Sequence, residues 1–91
     1  MSDPVERFLN EQVILDTTTP IVYIGRLIEV SKHAFVLCDT DMHDCREGHA
    51  GKELYLAEVS RDGVTVNRRQ VVVMKEAVIS VSRLADVATD L

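Results

Sequence analysis

The sequence predicts a mostly β fold, in which a short N-terminal α-helix is followed by a five-stranded, strongly bent antiparallel small barrel. Short runs rich in β-branched residues, separated by polar turns, are typical of strands. The longest run, residues 21–30, contains Gly25 near its middle. A glycine inside a strand often marks a sharp bend or a close backbone approach. A small barrel requires such bends because flat strands do not close around a core.

The N-terminal helix is predicted from its cap and its apolar face. Asp3 is a favourable N-cap residue, and Pro4 suits the first helical position. Val5, Phe8 and Leu9 then recur with helical spacing. A helix of this length is marginal in isolation, so we expect it to dock on the barrel.

The remaining elements follow from changes in pattern. Strands are expected at residues 13–15, 21–30, 33–39, 64–74 and 78–81, and residues 54–59 are expected to form either one arm of an extended hairpin or part of a long loop ahead of the fourth strand. The Asp62-Gly63 pair is a strong hairpin signal. Residues 40–51 are polar and aperiodic, which indicates a loop. Residues 83–91 are expected to form one weak helical turn or a frayed tail.

Length and composition indicate one domain, residues 1–91, with a core of about 3–82. No apolar run approaches the roughly 20 residues of a membrane helix, and no secretory signal is evident. Two cysteines do not make a disulfide framework, so we expect reduced thiols and a cytoplasmic protein, with Cys38 acting as a small buried hydrophobe. The net charge of −5 disfavours a nucleic-acid partner, although Arg61, Arg68, Arg69 and Lys75 can form a local basic patch.

Two motifs resemble those of the Sm-like family. In the first, Gly25, Leu27, His33 and then Val36-Leu37-Cys38-Asp39 match the family's pattern without an insertion or deletion. The second is an apolar strand, a reversal at Lys75-Glu76 and another apolar strand. The resemblance covers roughly residues 3–82. It implies a bent five-stranded barrel whose last two strands pair head to tail between subunits to form a ring.

The resemblance also implies where RNA would bind, and this sequence departs from the family there. In RNA-binding members an aromatic residue or His stacks on a base, an Asn reads the base edge, and an Arg closes the pocket. His33 matches the stacking position, whereas Phe35 stands at the Asn position and Lys75 lies in the reversal. Because selectivity depends on hydrogen bonds to the base edge, recognition of uridine is in doubt.

Residues 40–51 also contain three side chains that can bind metal, namely His43, Cys45 and His49. Zinc favours such nitrogen and sulfur ligands, but their spacing is not that of a standard zinc knuckle. A solvated acidic loop is the alternative interpretation. Nucleophilic catalysis by Cys45 with a neighbouring His would need a rigid orienting group and an oxyanion site, which a loop does not supply.

The last two predicted strands are nearly continuous apolar runs, which suggests burial on both faces. A lone barrel would expose these edges to aggregation, and pairing with a neighbouring copy removes that liability. A head-to-tail contact closes into a ring when the rotation allows it. The interface residues expected from these runs are Val71, Val72, Val73, Val78, Ile79 and Val81.

The sequence therefore predicts a non-enzymatic, ring-forming module without a cofactor, whose partner is another copy of itself. Single-stranded RNA is a further partner, disfavoured by the net charge. Its candidate contacts are His33, Phe35, Lys75, Arg68 and Arg69. The alternatives are a protein-assembly scaffold that contacts partners through the acidic loop, and metal binding by His43, Cys45 and His49. No membrane partner is expected.

Overall fold

The computed structural model describes residues 3–46 and 51–88. Within these residues the chain forms five strands, one α-helix and three short 3-10 helices. The strands are β1 (Gln12–Thr17), β2 (Ile21–Val30), β3 (Ala34–Asp44), β4 (Arg68–Met74) and β5 (Val78–Arg83). The α-helix, α1, spans Lys52–Asp62, and the 3-10 helices are Pro4–Phe8, Lys75–Ala77 and Leu84–Asp86. No helix in the described residues is long and apolar enough to cross a lipid bilayer.

The five strands form one bent antiparallel sheet, which confirms the predicted mostly β architecture. The strand order is β4-β3-β2-β1-β5, so the last two strands in sequence lie at opposite ends of the sheet. Within the described residues, β4 pairs only with β3, and β5 pairs only with β1. Each of these two strands therefore has one edge without a strand partner.

The bend in β2 depends on Gly25. The pairing register between β2 and β3 shifts between Ile24 and Arg26, across this glycine. A Cβ atom at position 25 would lie 2.3 Å from Thr40 Oγ1 and 3.0 Å from the Cys38 carbonyl oxygen. The close backbone approach predicted from the sequence is confirmed, because a side chain at this position would collide with β3.

One face of the sheet holds the first core. Its buried residues are Val13, Leu15, Leu27, Phe35, Leu37 and Val73. Val5 and Phe8, from the segment Pro4–Phe8, pack against this core. Alternation along the strands places these side chains on one face and leaves the next residue in each strand for the other face.

The opposite face of the sheet carries a second core. It contains Ile14, Val22 and Ile24 from the sheet, together with Val59 from α1 and Leu84 from the 3-10 helix after β5. The consecutive apolar residues of β1 are explained by this arrangement, because both faces of the strand are covered. Leu84 is 8% exposed, so the start of the predicted tail is part of the fold.

The prediction of an N-terminal α-helix is wrong, because Pro4–Phe8 is a 3-10 helix of five residues. Asp3 does cap it, since its Oδ1 accepts a hydrogen bond of 2.9 Å from the Val5 N–H. The chain then turns sharply through Asn10, whose φ is 71° and whose N–H donates to the Leu27 carbonyl at 2.7 Å. This turn ends the helical segment before β1 begins at Gln12.

The hairpin predicted around residues 54–63 is also wrong, because these residues belong to α1 and its end. Gly63 has a φ of 93°, and its N–H donates to the Val59 carbonyl at 2.8 Å. A glycine with positive φ is a common helix terminator as well as a turn residue. The predicted strand at 64–74 begins only at Arg68.

The predicted loop at 40–51 is shorter than expected, since β3 continues to Asp44. Its polar residues are accommodated because α1 and Asn67 provide partners for them. Cys38 was expected to be a buried hydrophobe, but it is only half-buried. The Arg26 guanidinium donates to its sulfur, with Nη2 at 3.3 Å from Sγ. Both cysteines are free thiols.

Candidate binding surfaces

The turn before β3 and the turn after β4 lie side by side and bring His33 and Lys75 together. The Lys75 N–H donates to the His33 carbonyl at 2.8 Å. The turn at His33 is fixed by Ser31, whose Oγ accepts from the Ala34 N–H at 3.2 Å. The His33 side chain is exposed. These two candidate RNA contacts, predicted from separate parts of the sequence, therefore share one surface.

A cavity of about 150 Å³ lies at this surface. We call it the His33 site, and it is lined by Lys32, His33, Met74, Lys75 and Glu76. Its lining includes two lysines, one imidazole and one carboxylate. This composition suits a ligand with a phosphate and a flat ring, since lysine binds phosphate as a point charge and an aromatic ring stacks on a base.

Phe35 does not extend the His33 site as a stacking surface. Its side chain is 4% exposed and belongs to the first core. The strand predicted at 33–39 starts one residue later than expected, because β3 begins at Ala34 and His33 lies in the preceding turn. Lys75 covers the ring, with its Nζ 5.2 Å from the ring centroid. Phe35 therefore contacts the Lys75 ammonium group but does not line the His33 site.

Arg68 and Arg69 are far from the His33 site. They begin β4, whereas Met74 ends it, and Arg68 and Met74 are six strand steps apart, or about 20 Å. Arg68 Nη1 donates to the Asn67 carbonyl at 2.9 Å. The structure thus divides the predicted basic patch between the two ends of β4.

The predicted interface residues divide between the first core and the surface. Val73 is 4% exposed, and Val71, Val78 and Val81 are partly buried against the first core. Val72 and Ile79 point outward and are 56% and 64% exposed. Each edge strand therefore has one packed face and at least one exposed apolar side chain.

Two grooves follow these strand edges. The β5 groove, of about 490 Å³, is bounded by the N-terminal segment and is lined along the strand by Val78, Ile79, Ser80 and Val81. The β4 groove, of about 290 Å³, is lined by Val72, Val73 and Met74 and by residues of the β1–β2 turn region. Each edge thus adjoins space that a further polypeptide can enter.

A polar cluster joins α1 to β3, and no motif in the sequence indicates it. Asp41 is 7% exposed and accepts hydrogen bonds from the Tyr55 hydroxyl and, at 2.9 Å, from Asn67 Nδ2. The His43 ring stacks on the Tyr55 ring with centroids 3.7 Å apart. Tyr55 therefore connects the helix to two residues of the strand.

The Tyr55 hydroxyl gives a prediction at alkaline pH. Burial and the hydrogen bond to Asp41 raise the pKa of Tyr55 above its usual value of about 10. The neutral phenol thus stabilises the folded state fully below pH of about 10, and this stabilisation is lost as pH rises towards the folded-state pKa. In a Tyr23→Phe variant, which leaves Tyr55 as the sole tyrosine, ultraviolet titration should show ionisation only well above pH of about 10.

Asp41→Asn in the same Tyr23→Phe background is the matched control. It keeps a hydrogen-bond acceptor but removes the carboxylate charge that disfavours tyrosinate. The titration should then move towards lower pH. Ionisation of Tyr55 near its ordinary pKa in the parent, with α1 still docked, would contradict a buried hydrogen bond between Tyr55 and Asp41.

The structure describes two of the three predicted metal ligands. His43 is stacked on Tyr55, and Cys45 packs at the margin of the second core. His49 lies outside the described residues. Among residues 3–46 and 51–88, no group of three or more His, Cys, Asp and Glu side chains is placed to hold a metal ion. The three-ligand hypothesis stays a prediction.

Cys45 is poorly suited to be a nucleophile. Burial raises the pKa of its thiol, so the protonated and unreactive form predominates at neutral pH. The neighbouring Asp44 is held as a carboxylate, because hydrogen bonds from the Arg46 side chain and backbone lower its pKa to about 2. A negative charge beside Cys45 further disfavours a thiolate.

Comparisons with known proteins identify the fold. No family model and no curated protein matches the sequence. Among solved structures, the chain is similar to the Sm protein of Pyrococcus abyssii, determined in complex with a uridine heptamer. The match has a TM-score of 0.59 and 23% identity, and it covers 90% of this chain and 99% of that chain. The fold indicated by the two sequence motifs is confirmed: this chain has an Sm-like fold.

Proposed function

We propose that this chain is a non-enzymatic assembly module that associates head to tail through β4 and β5 and closes into a ring. The observation that carries the proposal is the pair of open sheet edges in the described residues. Each carries an exposed apolar residue, Val72 on β4 and Ile79 on β5. Open apolar edges are an aggregation hazard unless a partner strand covers them.

The two edges differ, which favours a head-to-tail contact. The β5 groove contains charged residues of the N-terminal region, including Asp3 and Arg7, whereas the β4 groove is lined by hydroxyl and apolar side chains. Pairing β4 of one copy with β5 of the next uses both surfaces once in every copy. Such a contact repeats until it closes as a ring or continues as a filament.

Hydrogen exchange tests strand pairing between copies directly. In a monomer, backbone amides on the open edges of β4 and β5 are bonded to water and exchange rapidly. In the proposed assembly they are bonded across the interface, so their exchange should slow at high protein concentration and accelerate on dilution. Rapid exchange of both edges at every concentration would contradict the proposal.

We further propose that the assembly contacts single-stranded RNA weakly at the His33 site. The structurally similar Pyrococcus protein was solved with a uridine heptamer, and His33 is exposed beside Lys32 and Lys75. Selective reading of uridine is not expected, because Phe35 replaces the base-reading amide and is buried. Stacking and phosphate contacts together give affinity with little sequence preference.

His33→Ala should weaken RNA binding at least about fivefold, since base stacking on one aromatic ring contributes about 1–3 kcal/mol. His33→Phe is the matched control, because it keeps a stacking ring and should retain most of the affinity. Fluorescence anisotropy with labelled uridine and adenosine heptamers measures both variants. Equal affinity of the His33→Ala variant and the parent would exclude a stacking role for His33.

The alternative is a scaffold that binds protein partners and no nucleic acid. The net charge of −5 favours it, as does the commitment of Lys75 to an ion pair with Asp3. Salt dependence separates the two functions, because RNA affinity through lysines rises steeply as salt is lowered. A scaffold would leave both heptamers unbound even at low salt.

A further inference from the structure

The Lys75 ammonium group is already paired within the chain. Its Nζ lies 2.5 Å from Asp3 Oδ2, and both side chains are 26% exposed. The same group lies over the Phe35 ring and contributes to the lining of both the His33 site and the β5 groove. Lys75 therefore lines both cavities, and Asp3 contacts its ammonium group from the side of the β5 groove.

Asp3 is held in this position by the backbone of the N-terminal segment. One carboxylate oxygen accepts from the Val5 N–H, which leaves the other oxygen for Lys75. Val5 and Phe8 pack against the first core and fix the segment on the barrel. The hydrogen bonds from Lys75 and Val5 also lower the pKa of Asp3, so the carboxylate is ionised at neutral pH.

A phosphate group that entered the His33 site would need the same ammonium group. Lys32 and Lys75 are the two lysines of its lining, and Glu76 offsets one of their charges. With Lys75 neutralised by Asp3, the site has little net positive charge to attract a polyanion. Removal of Asp3 restores one full cation beside the exposed His33 ring.

We infer that Asp3 is an intramolecular competitor that masks Lys75 and lowers the affinity of the His33 site for single-stranded RNA. The carboxylate, which also accepts a hydrogen bond from the Val5 N–H, occupies one side of the ammonium group that a phosphate would contact. The N-terminus is thus an autoinhibitory contact for the RNA-binding part of the proposed function, on which this inference rests.

Asp3→Asn is the direct test, because an asparagine still accepts a hydrogen bond from the Val5 N–H but carries no charge. RNA affinity should rise about threefold to tenfold at low salt, consistent with the loss of one competing surface ion pair and the gain of one phosphate contact. The slope of log affinity against log salt should steepen by about 0.7 for one added contact to a single strand. Asp3→Ala should give the same gain.

Asp62→Asn is the matched control. Asp62 is paired with Arg61 at the end of α1, and its replacement changes the net charge from −5 to −4, as Asp3→Asn does. It should leave RNA affinity unchanged. Lys75→Gln should weaken binding, and the double variant Asp3→Asn/Lys75→Gln should bind no better than Lys75→Gln alone.

The experiment uses the full chain and labelled uridine and adenosine heptamers, with the folded state of each variant checked by thermal unfolding. Equal gains for Asp3→Asn and Asp62→Asn, or a gain that persists without Lys75, would overturn the inference. If the parent binds RNA through His33 and Asp3→Asn gives no gain, the inference alone fails. If no variant binds RNA at low salt, the RNA-binding proposal fails with it.

Discussion

Ile79→Lys and Val72→Lys should each convert the assembled protein into monomers, and an equimolar mixture of the two variants should form a 1:1 dimer. Both side chains are more than half exposed in the single chain, so the substitutions disturb its own packing little. At a strand interface, a lysine must lose water without gaining a partner. The expected loss is at least about 100-fold in affinity per interface (about 3 kcal/mol).

The mixture distinguishes between two symmetries. Ile79→Lys blocks the β5 edge and leaves β4 intact, whereas Val72→Lys does the reverse. In a head-to-tail contact, the intact β4 of the first variant pairs with the intact β5 of the second, and growth stops there. If β4 paired with β4, Ile79→Lys alone would dimerise.

Sedimentation velocity gives the mass of each sample. Leu54→Lys is the control, because Leu54 is 54% exposed on α1, away from both edges, and its substitution should leave the assembly unchanged. Assembly that survives both edge substitutions would contradict the proposed interface.

Gly25→Ala should destabilise the fold by about 2–3 kcal/mol, in the range found for overpacked cores. The added Cβ would meet Thr40 Oγ1 at 2.3 Å and the Cys38 carbonyl oxygen at 3.0 Å. The second contact is with strand backbone, so relief requires β2 and β3 to separate. For a domain of this size the midpoint of thermal unfolding should fall by roughly 10–20 °C.

Chemical denaturation of a double-mutant cycle tests this contact. Thr40→Ala removes the nearest atom, Thr40 Oγ1. This hydroxyl oxygen is buried without a hydrogen-bond partner in the described residues. Gly25→Ala should therefore cost less in the Thr40→Ala background. Gly51→Ala is the control, since a Cβ there would meet no atom of the described residues within 4 Å and its φ is −73°. A Gly25→Ala effect below about 0.5 kcal/mol would show that β3 yields easily.

Strands whose signals are local could be predicted from the sequence. The predicted strand at 21–30 has the bounds of β2, because a β-rich run closed by Pro20 on one side and by Ser31-Lys32 on the other leaves little ambiguity. The role of Gly25 could also be predicted, because a glycine within a strand indicates a close backbone approach whatever the neighbouring side chains are. The bent five-stranded fold was implied by the resemblance of two motifs to those of the Sm-like family.

α1 could not be predicted because its residues are compatible with both a strand followed by a hairpin turn and a helix. Leu54, Tyr55 and Leu56 read as a short apolar strand, and periodicity does not resolve so short a run. Asp62-Gly63 fits a hairpin turn as well as a helix end. Only Val59 among the eleven residues of α1 is buried, so the helix has a weak apolar face.

The candidate site was predicted in part. The proximity of His33 and Lys75 followed from the resemblance, which aligns both turns with the family motifs. The masking of Lys75 by Asp3 was not predictable, since these residues are 72 positions apart and their contact depends on the sharp turn at Asn10. Arg68 and Arg69 are far from His33 because they lie at the start of β4. The sequence predicted a strand from residue 64, because the end of α1 was interpreted as a hairpin turn.

Native mass spectrometry of the purified chain, without added metal, is the most direct test of the proposed assembly. We expect one closed oligomer of about five to eight subunits, as a head-to-tail contact that closes into a ring gives a single defined size. Its mass should be a whole multiple of 10.2 kDa, without the ladder of sizes that an open filament produces. A monomer at micromolar concentration would contradict the account and leave the two open edges of the sheet without an explanation.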